Sequence, residues 1–307
     1  MLQMFPVLVT FFNRPSTFER VLASIAENDN LEVYFAADGP RNSEDIQNLQ
    51  ECWALVDKYF PKTPLARKFS RSVNRGCREA MIENITWFFE SVPYGVILED
   101  DCLPNADFFK KQLTFLEDQG LANKFISVSG SRVIVPGSNY SSFEATQSMF
   151  PMVWGWGTWA TNWKKYQPDI PDAQEITRRA ADKLFPLRGQ WLEKELFKNT
   201  FNSRFREVNI GYINTWDYAL TATAWRENMM ALHLTVNSIV NIGFNSQGTH
   251  TVLNAPDWVP QKFEISESPV SSVGDWIPDL DRNIAKLVFN CGVPDFSKNQ
   301  VKRLLHR

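Results

Sequence analysis

Two hydrophobic periodicities alternate along the first third of this 307-residue chain, and this alternation constrains the possible folds more than any other feature. Short apolar runs that are rich in β-branched or aromatic residues are typical of strands buried on both faces, and they occur at Phe5–Phe12, Leu31–Ala37 and Gly95–Leu98. The segments between them have the spacing of amphipathic helices: Thr17–Glu27, Ser43–Tyr59 and Gly76–Glu90. This order predicts an α/β fold with a doubly wound, mostly parallel sheet flanked by helices.

The loops that follow the predicted strands are the places to look for a binding site. In doubly wound sheets, ligands bind outside the carboxyl ends of the strands. Three loops meet this condition, namely Asn13–Pro15, Asp38–Arg41 and Glu99–Pro104. We therefore expect the functional side chains of the first half to come from these loops.

The third of these loops begins with the acidic run Glu99, Asp100 and Asp101, directly after the apolar segment Val96–Leu98. Three adjacent carboxylates repel one another, so their placement at the end of a buried strand is costly unless a cation compensates them. Mg²⁺ and Mn²⁺ prefer one or two carboxylates together with phosphate oxygens. A solvated acidic loop is the alternative, but the position at a strand end favours a metal and phosphate site.

The second half of the chain has a different composition. Seven of the 11 Trp residues lie between Trp154 and Trp225, around helical patterns at Ala173–Leu184, Leu192–Asn202 and Trp216–Arg226. Aromatic faces stack on sugar rings, although core packing must account for most of these side chains. We expect one domain over residues 1–307, with a nucleotide and metal half at about 1–130, an aromatic half at about 131–255 and an extension at 256–307.

Charge and hydropathy exclude some partners. The 32 Lys and Arg against 35 Asp and Glu give a net charge of −3, which argues against nucleic acid as the main partner. No apolar stretch approaches the roughly 18 residues of a membrane span. We expect a cytoplasmic protein with free thiols, whose basic end Lys302–Arg307 could contact the inner face of a membrane.

The acidic run and the residues after it, Leu103–Phe109, closely resemble the metal-binding segment of the GT-A glycosyltransferases. The resemblance is greatest to the N-acetylglucosaminyltransferase I type and to related bacterial nucleotide-diphospho-sugar transferases. It covers roughly residues 5–255 through an ordered series of further segments: Val7–Pro15, Ala37–Gly39, Asn74–Glu79, Trp154–Trp159, Trp216-Asp217 and Asn241–His250.

The resemblance implies a Mn²⁺ or Mg²⁺ cofactor and assigns roles around it. Asp101 and His250 would bind the metal, Asp100 and Glu99 would hold the ribose, the donor sugar or the metal's water, and Asp38 would contact the base or ribose. The remaining residues implied for the donor are Thr10, Phe11, Asn13, Arg14, Arg75 and Arg78. For the last two arginines a surface salt bridge is an equally good explanation, and for His250 so is a capping or surface position.

Asp217 is the candidate catalytic base. It stands between Trp216 and Tyr218, and a partly apolar pocket would raise its basicity into a useful range. The resemblance places the base of an inverting transfer in a matching Trp-Asp segment, whereas an N-cap role in the following helix is the alternative. Near it, Trp154, Trp156 and Trp216 are expected to contact the acceptor.

The expected function is that of a metal-dependent hexosyltransferase of polysaccharide biosynthesis. It would move a sugar from a nucleotide sugar, by resemblance a UDP-sugar, to a glycan or glycolipid-type acceptor. A sugar nucleotidyltransferase is one alternative, although the loop Thr10–Pro15 lacks the glycines that such enzymes need. A non-catalytic carbohydrate-binding protein is another, but it would leave the acidic run unexplained.

Overall fold

The computed structural model describes residues 4–136, 143–244, 255–264 and 272–292. Within them, eight strands form one sheet in the order β3-β2-β1-β4-β8-β6-β9-β7, and two short strands, β5 and β10, form a second. The strands are β1 Phe5–Phe11, β2 Leu31–Ala37, β3 Lys68–Ser70, β4 Tyr94–Glu99, β5 Cys102–Pro104, β6 Phe125–Ser129, β7 Ala145–Ser148, β8 Trp156–Trp159, β9 Met230–Leu234 and β10 Ile239–Asn241. The helices are α1 Pro15–Ala26, α2 Ser43–Tyr59, α3 Cys77–Ser91, α4 Phe108–Leu116, α5 Ala160–Trp163, α6 Ala173–Leu184, α7 Trp191–Asn209, α8 Asp217–Arg226 and α9 Pro278–Leu287.

The predicted α/β fold is confirmed, because the large sheet is mostly parallel and is flanked by helices. Strand β1 lies between β2 and β4 and is parallel to both. In this register Thr10 lies opposite Ala36 on one side and Glu99 on the other. The carboxyl ends of the three strands therefore meet at one edge of the sheet, and the three loops singled out in the sequence lie together.

The aromatic segment Trp156–Trp159 is an antiparallel strand, β8, between β4 and β6. Strand β8 thus joins the parallel strands β1–β4 to the strands on its other side, of which β6 and β9 run parallel to each other. The packing there is close at Gly157, because a methyl group at this position would lie 2.6 Å from the side chain of Leu116 on α4, which would have to move. The change in composition after Phe150 thus marks a change in strand direction.

The segment Leu232–Val240 is apolar enough to resemble one strand, but it contributes to two strands that belong to different sheets. The side chain of Asn237 forms a turn between them by donating to the carbonyl oxygens of Ile239 at 2.6 Å and Lys262 at 3.0 Å. After this turn β10 pairs antiparallel with β5, so that Asn241 lies opposite Cys102, next to the acidic run. Hydrophobicity alone could not reveal the break, because residues on both sides of it are buried.

Most of the aromatic excess in the second half forms the core. Helices α7 and α8 pack against each other through rings that are almost completely buried: Phe150, Phe197, Phe201, Phe205 and Trp225. The four cysteines, Cys52, Cys77, Cys102 and Cys291, are free thiols as predicted.

A buried histidine in β9 makes the stability depend on pH. Nε2 of His233 lies 2.7 Å from the carbonyl oxygen of Phe150, and burial lowers the pKa of His233 from 6.5 to about 4. Between these values the unfolded chain binds a proton that the folded protein excludes. This group therefore makes the free energy of unfolding fall by about 3 kcal/mol as the pH drops from 6.5 to 4.

Urea unfolding at several pH values tests this expectation. A His233→Gln variant should be less stable than the wild-type protein at pH 7, but its free energy of unfolding should fall less between pH 7 and pH 4. An equal loss in the two proteins would show that His233 does not contribute this pH dependence.

Candidate active site

A cleft of about 440 Å³ opens at the carboxyl edge of β1, β2 and β4. It brings together most of the site residues predicted in the first half of the chain, and one Trp from the second half. Those that line it are Thr10, Phe11, Arg14, Asp38, Glu99, Asp100, Asp101 and Trp154. The parallel register explains this assembly, because it places the ends of the three strands side by side.

Arg14 forms the central ion pairs of the cleft. Its Nη1 donates to Oδ2 of Asp101 at 2.9 Å, its Nε donates to Oδ2 of Asp100 at 3.3 Å, and its Nη2 binds the other oxygen of Asp100. The backbone N–H of Phe12 also donates to Asp100, at 3.4 Å. One guanidinium therefore binds both aspartates of the acidic run.

The pKa values of the acidic run show that this single cation does not fully compensate it. Burial raises the pKa of Glu99 to about 8, and the charges of Asp101 and Asp100 contribute to the increase. Burial also raises the pKa of Asp100 to about 6, although Arg14 opposes this shift. For Arg14, burial lowers the pKa, but the two aspartates more than reverse the effect. Burial and repulsion among the carboxylates therefore both disfavour the charged forms of the run, and Arg14 opposes them.

Asp38 organises the loop in front of α3. Its carboxylate accepts hydrogen bonds from the backbone N–H groups of Gly39 at 2.8 Å, Arg75 at 2.9 Å and Gly76 at 3.0 Å, and from Nδ2 of Asn74 at 2.9 Å. These bonds join the end of β2 to the start of α3 and hold Asn74 at the cleft wall. Because Asp38 itself lines the cleft, it can act on a ligand directly and through this loop.

Three residues predicted to bind the donor have their side chains in other contacts. Arg75 pairs with Glu79 and Glu83, both at 3.4 Å, and Arg78 pairs with Asp169 at 3.0 Å. The side chain of Asn13 donates to Asp45 in α2 at 2.5 Å. These three are not among the residues that line the cleft. The salt-bridge alternative therefore describes both arginines, and Arg14 is the arginine that contacts the acidic run.

Asp217 is the first residue of α8. The N-cap position, considered above as an alternative role for Asp217, is occupied by Trp216. Oδ1 of Asp217 accepts hydrogen bonds from the hydroxyl of Thr215 at 2.5 Å and from the backbone N–H of Tyr218 at 2.8 Å. Burial raises the pKa of Cys77 and Glu99, which line the cleft, and the charge of Asp217 raises both further. Asp217 itself is not among the residues that line the cleft, but Asn214, three residues before it, does line the cleft and binds the backbone of Arg78 in α3.

The three tryptophans predicted on the acceptor side divide into two groups. Trp154 lines the cleft and stacks on Trp258, with ring centroids 5.6 Å apart and planes 7° apart. Trp156 and Trp216 are 0% and 3% exposed and stack on each other. Buried rings cannot present a face to a sugar, so the prediction of acceptor contacts is corrected for these two residues, which belong to the core.

Four asparagines that were not predicted as site residues also line the cleft: Asn74, Asn84, Asn214 and Asn241. Asn214 lies in the loop before Asp217, and its Oδ1 accepts a hydrogen bond from the backbone N–H of Arg78 at 3.1 Å. Asn241 ends β10, where its Oδ1 accepts the N–H of Gly243 at 2.8 Å. The resemblance included the segments that begin at Asn74 and Asn241 but assigned these side chains no role, and it gave no signal for Asn84 or Asn214.

The donor set of the cleft suits a hard divalent cation. Asp100 and Asp101 offer the carboxylate oxygens that Mn²⁺ and Mg²⁺ prefer. Residues 4–136, 143–244, 255–264 and 272–292 hold no group of three or more His, Cys, Asp or Glu that would complete a metal site alone. A cation at the two aspartates would accordingly need ligands from a bound phosphate or from elsewhere. His250, predicted as such a ligand, lies outside the described residues.

Comparison with known families identifies the chain. The sequence profile of Glycosyl transferase family 2 matches residues 7–178, more than half of the chain. The protein belongs to glycosyl transferase family 2. It is therefore a glycosyltransferase that uses a nucleotide sugar, and the matched residues include the acidic run, Arg14, Asp38 and Trp154. The family match does not single out the N-acetylglucosaminyltransferase I type.

A comparison with solved structures matches the chain to, among others, the mannosyltransferase PcManGT from Pyrobaculum calidifontis, in complex with GDP-Man and Mn²⁺. Sequence identity is 14%, the alignment covers 73% of this chain and 74% of that chain, and the TM-score is 0.36. No curated protein matches this chain by sequence. Among the described helices of this family 2 protein, none combines the length and hydrophobicity needed to cross a membrane.

A glycine next to the acidic run offers a test of the site. A methyl group at Gly243 would lie 2.2 Å from Oδ2 of Asp101, so Gly243→Ala must displace the carboxylate or the chain beside it. Since small displacements of site residues are costly, we expect nucleoside diphosphate binding in the presence of Mn²⁺ to weaken by roughly tenfold or more. Isothermal titration calorimetry measures this change.

Gly189 provides the matched control, because nothing lies within 4 Å of a methyl group built there. Gly189→Ala should bind the nucleotide as the wild-type protein does. Equal affinities for all three proteins would show that the contact between Gly243 and Asp101 is not part of the binding site.

Proposed function

We propose that this family 2 protein is a metal-dependent, inverting hexosyltransferase that moves a sugar from a UDP-sugar to a hydroxyl group of a glycan or glycolipid. The observation that carries the proposal is the charge of the cleft. Asp38, Glu99, Asp100 and Asp101 line it, and the cations among its lining residues are Arg14 and Arg41. Arg41 is paired with Asp45 at 2.8 Å, which leaves Arg14 for the acidic run.

A nucleotide sugar carries a negatively charged diphosphate, and an acid-rich cleft repels it. A divalent cation at Asp100 and Asp101 would replace this repulsion by attraction, because it can bind the carboxylates and the phosphate oxygens at the same time. When bound, Mn²⁺ or Mg²⁺ would stabilise the charge of the departing nucleoside diphosphate. Asp101 is proposed as the direct ligand, and Asp100 and Glu99 as the groups that face the ribose, the donor sugar or the metal's water.

The nucleoside part of the donor is assigned to the ends of β1 and β2. Thr10 and Phe11 form one wall of the cleft, and Asp38 with Asn74 forms another. Asp38 holds the loop before α3 by hydrogen bonds to three backbone N–H groups, so this wall is preorganised. We assign the base and ribose to this wall, in keeping with the resemblance seen in the sequence.

Asp217 is proposed as the base that accepts the proton of the acceptor hydroxyl. As that proton leaves, the acceptor oxygen bonds to the anomeric carbon, and the bond from this carbon to the diphosphate oxygen breaks. The hydrogen bonds from Thr215 and Tyr218 to Oδ1 support the role, because they fix the orientation of the carboxylate. A base on the opposite face of the sugar from the leaving group inverts the anomeric configuration.

The acceptor side is assigned to the wall formed by Trp154. Its ring is held by stacking on Trp258 and by an edge contact with Phe244, whose centroid is 5.6 Å away. An aromatic ring fixed in this way can present a face to the C–H groups of a pyranose. A glycan or a sugar-bearing lipid would supply such an acceptor.

The continuity of the sheet supports a single domain over residues 1–307, since β8 and β9 from the second half continue the sheet that β1–β4 begin. The three proposed parts, at about 1–130, 131–255 and 256–307, stay a prediction. So do the cytoplasmic location and a membrane contact through Lys302–Arg307, because that segment lies outside the described residues.

Removal of the metal ligand tests the metal dependence. In Asp101→Asn, UDP binding in the presence of Mn²⁺ should weaken by about tenfold or more, because the neutral amide attracts the cation far less than the carboxylate does. Calorimetry with Mn²⁺ or with EDTA measures the effect, and Asp107→Asn, an exposed acid six residues further on, is the control. If UDP binds wild-type protein equally well with EDTA, metal dependence is wrong.

Replacement of the proposed base tests the chemistry. Asp217→Asn keeps the size of the side chain but removes its basicity, so transfer should fall by roughly two or more orders of magnitude while donor binding is unchanged. Glu227→Gln, an exposed acid at the other end of α8, should leave both unchanged. The assay is release of nucleoside diphosphate from UDP- and GDP-sugars with a glycan acceptor, and near-normal turnover of Asp217→Asn would remove the residue from the mechanism.

A further inference from the structure

The side chain of Arg14 binds the same two aspartates that are proposed to hold the divalent cation. The backbone of Arg14 is held in place by α1. The residue stands at the N-cap of α1, before Pro15, and its carbonyl oxygen accepts hydrogen bonds from the N–H of Phe18 at 3.0 Å and the hydroxyl of Thr17 at 3.1 Å. The backbone is therefore fixed by the helix. The side chain is 16% exposed and reaches from this point into the cleft.

The conflict concerns the oxygens of the two aspartates. Nη1 of Arg14 binds Oδ2 of Asp101, and Nε and Nη2 bind the two oxygens of Asp100. Arg14 thus occupies three of the four carboxylate oxygens that a divalent cation could use as ligands, and the fourth, Oδ1 of Asp101, accepts a weak hydrogen bond from Sγ of Cys102 at 3.7 Å. A guanidinium and a divalent cation on the same carboxylate repel each other strongly in a partly buried cleft. Occupation of Asp101 by a metal therefore opposes its ion pair with Arg14.

We propose that Arg14 takes the place of the divalent cation when the donor site is empty, and that it transfers from Asp101 to the diphosphate when cation and nucleotide bind. This inference rests on the proposed function. Arg14 lines the same cleft as the acidic run, so a diphosphate held there lies within reach of its side chain. A guanidinium matches phosphate oxygens with two parallel hydrogen bonds, as it matches a carboxylate.

The exchange has two consequences for the enzyme. In the empty site, Arg14 stabilises two buried aspartates that would otherwise lack a cation. During binding, the nucleotide removes Arg14 from Asp101 and so favours the metal, while the metal frees Arg14 for the phosphates. Coupling of this kind is reciprocal, so each ligand raises the affinity of the other by the same factor. Arg14 is thus a positioning residue that makes metal and donor bind together.

Direct measurement of Mn²⁺ binding to the full chain tests the exchange without relying on turnover. Electron paramagnetic resonance of free Mn²⁺ would be recorded with and without UDP. In Arg14→Gln the competing cation is gone, so Mn²⁺ should bind about tenfold or more tightly than to wild-type protein when UDP is absent. Addition of UDP should raise Mn²⁺ affinity strongly in the wild-type protein and several-fold less in the variant.

Arg41→Gln is the matched control, because it removes the same charge from the same cleft but breaks a pair with Asp45 instead of the acidic run. Its Mn²⁺ affinity without UDP should rise much less than that of Arg14→Gln. Equal increases in the two variants would mean that Arg14 acts only through its general charge and would overturn the proposal. An unchanged affinity in Arg14→Gln would overturn it as well.

Arg14→Lys covers the case in which Arg14→Gln does not fold. An ammonium group has no planar fork to bind two carboxylates together, so Mn²⁺ affinity without UDP should lie above that of the wild-type protein. An affinity at or below the wild-type value would contradict the exchange. Failure of the proposed function is distinguishable, because it would appear as absence of UDP release from nucleotide sugars by the wild-type protein, whatever the Mn²⁺ affinities of the variants.

Discussion

The rest of the active site depends on the electrostatic repulsion among Glu99, Asp100 and Asp101 at the end of β4. A buried strand that ends in three carboxylates is unfavourable unless positive charge is close. Arg14, at the end of the neighbouring strand, supplies part of it through ion pairs with both aspartates. Burial raises the pKa values of Glu99 and Asp100, and repulsion from the neighbouring carboxylates adds to the increase. A site with this residual charge is suited to a second, exchangeable cation and to the anionic donor that the cation attracts.

The parallel register of the sheet makes this compensation possible. Arg14 and Asp100 are 86 residues apart in the chain, and they meet because β1 and β4 are hydrogen-bonded with Thr10 opposite Glu99. A shift of the register by one residue would move the loops apart and reverse the faces of the strand. The second sheet adds a further constraint, since the pairing of β10 with β5 carries Gly243 up to Asp101. The site thus joins segments from both halves of the chain.

The tryptophan-rich second half has two physical roles. Trp156, Trp216 and Trp225 are buried and support β8 and α8, which begin next to Trp154 and at Asp217, respectively. Trp154, at the start of this region, reaches the cleft. A high content of aromatic residues is therefore only indirect evidence for sugar binding. The sequence predicted three tryptophans on the acceptor side. Because Trp156 and Trp216 are buried, only Trp154 of these three lines the cleft.

The sequence by itself determined the fold class, the edge of the sheet that carries the site, and the acidic run, because hydrophobic periodicity and strand-end chemistry are local properties. It could not determine which arginine contacts that run, since Arg14 follows a predicted strand while Arg75 and Arg78 lie at the start of a predicted helix, and each position is compatible with a site at the strand ends. Tertiary structure decided this point by pairing Arg75 and Arg78 with acids outside the cleft. It also decided the break between β9 and β10 and the burial of Trp156 and Trp216. Each of these depends on contacts between residues far apart in the chain, which no local pattern specifies.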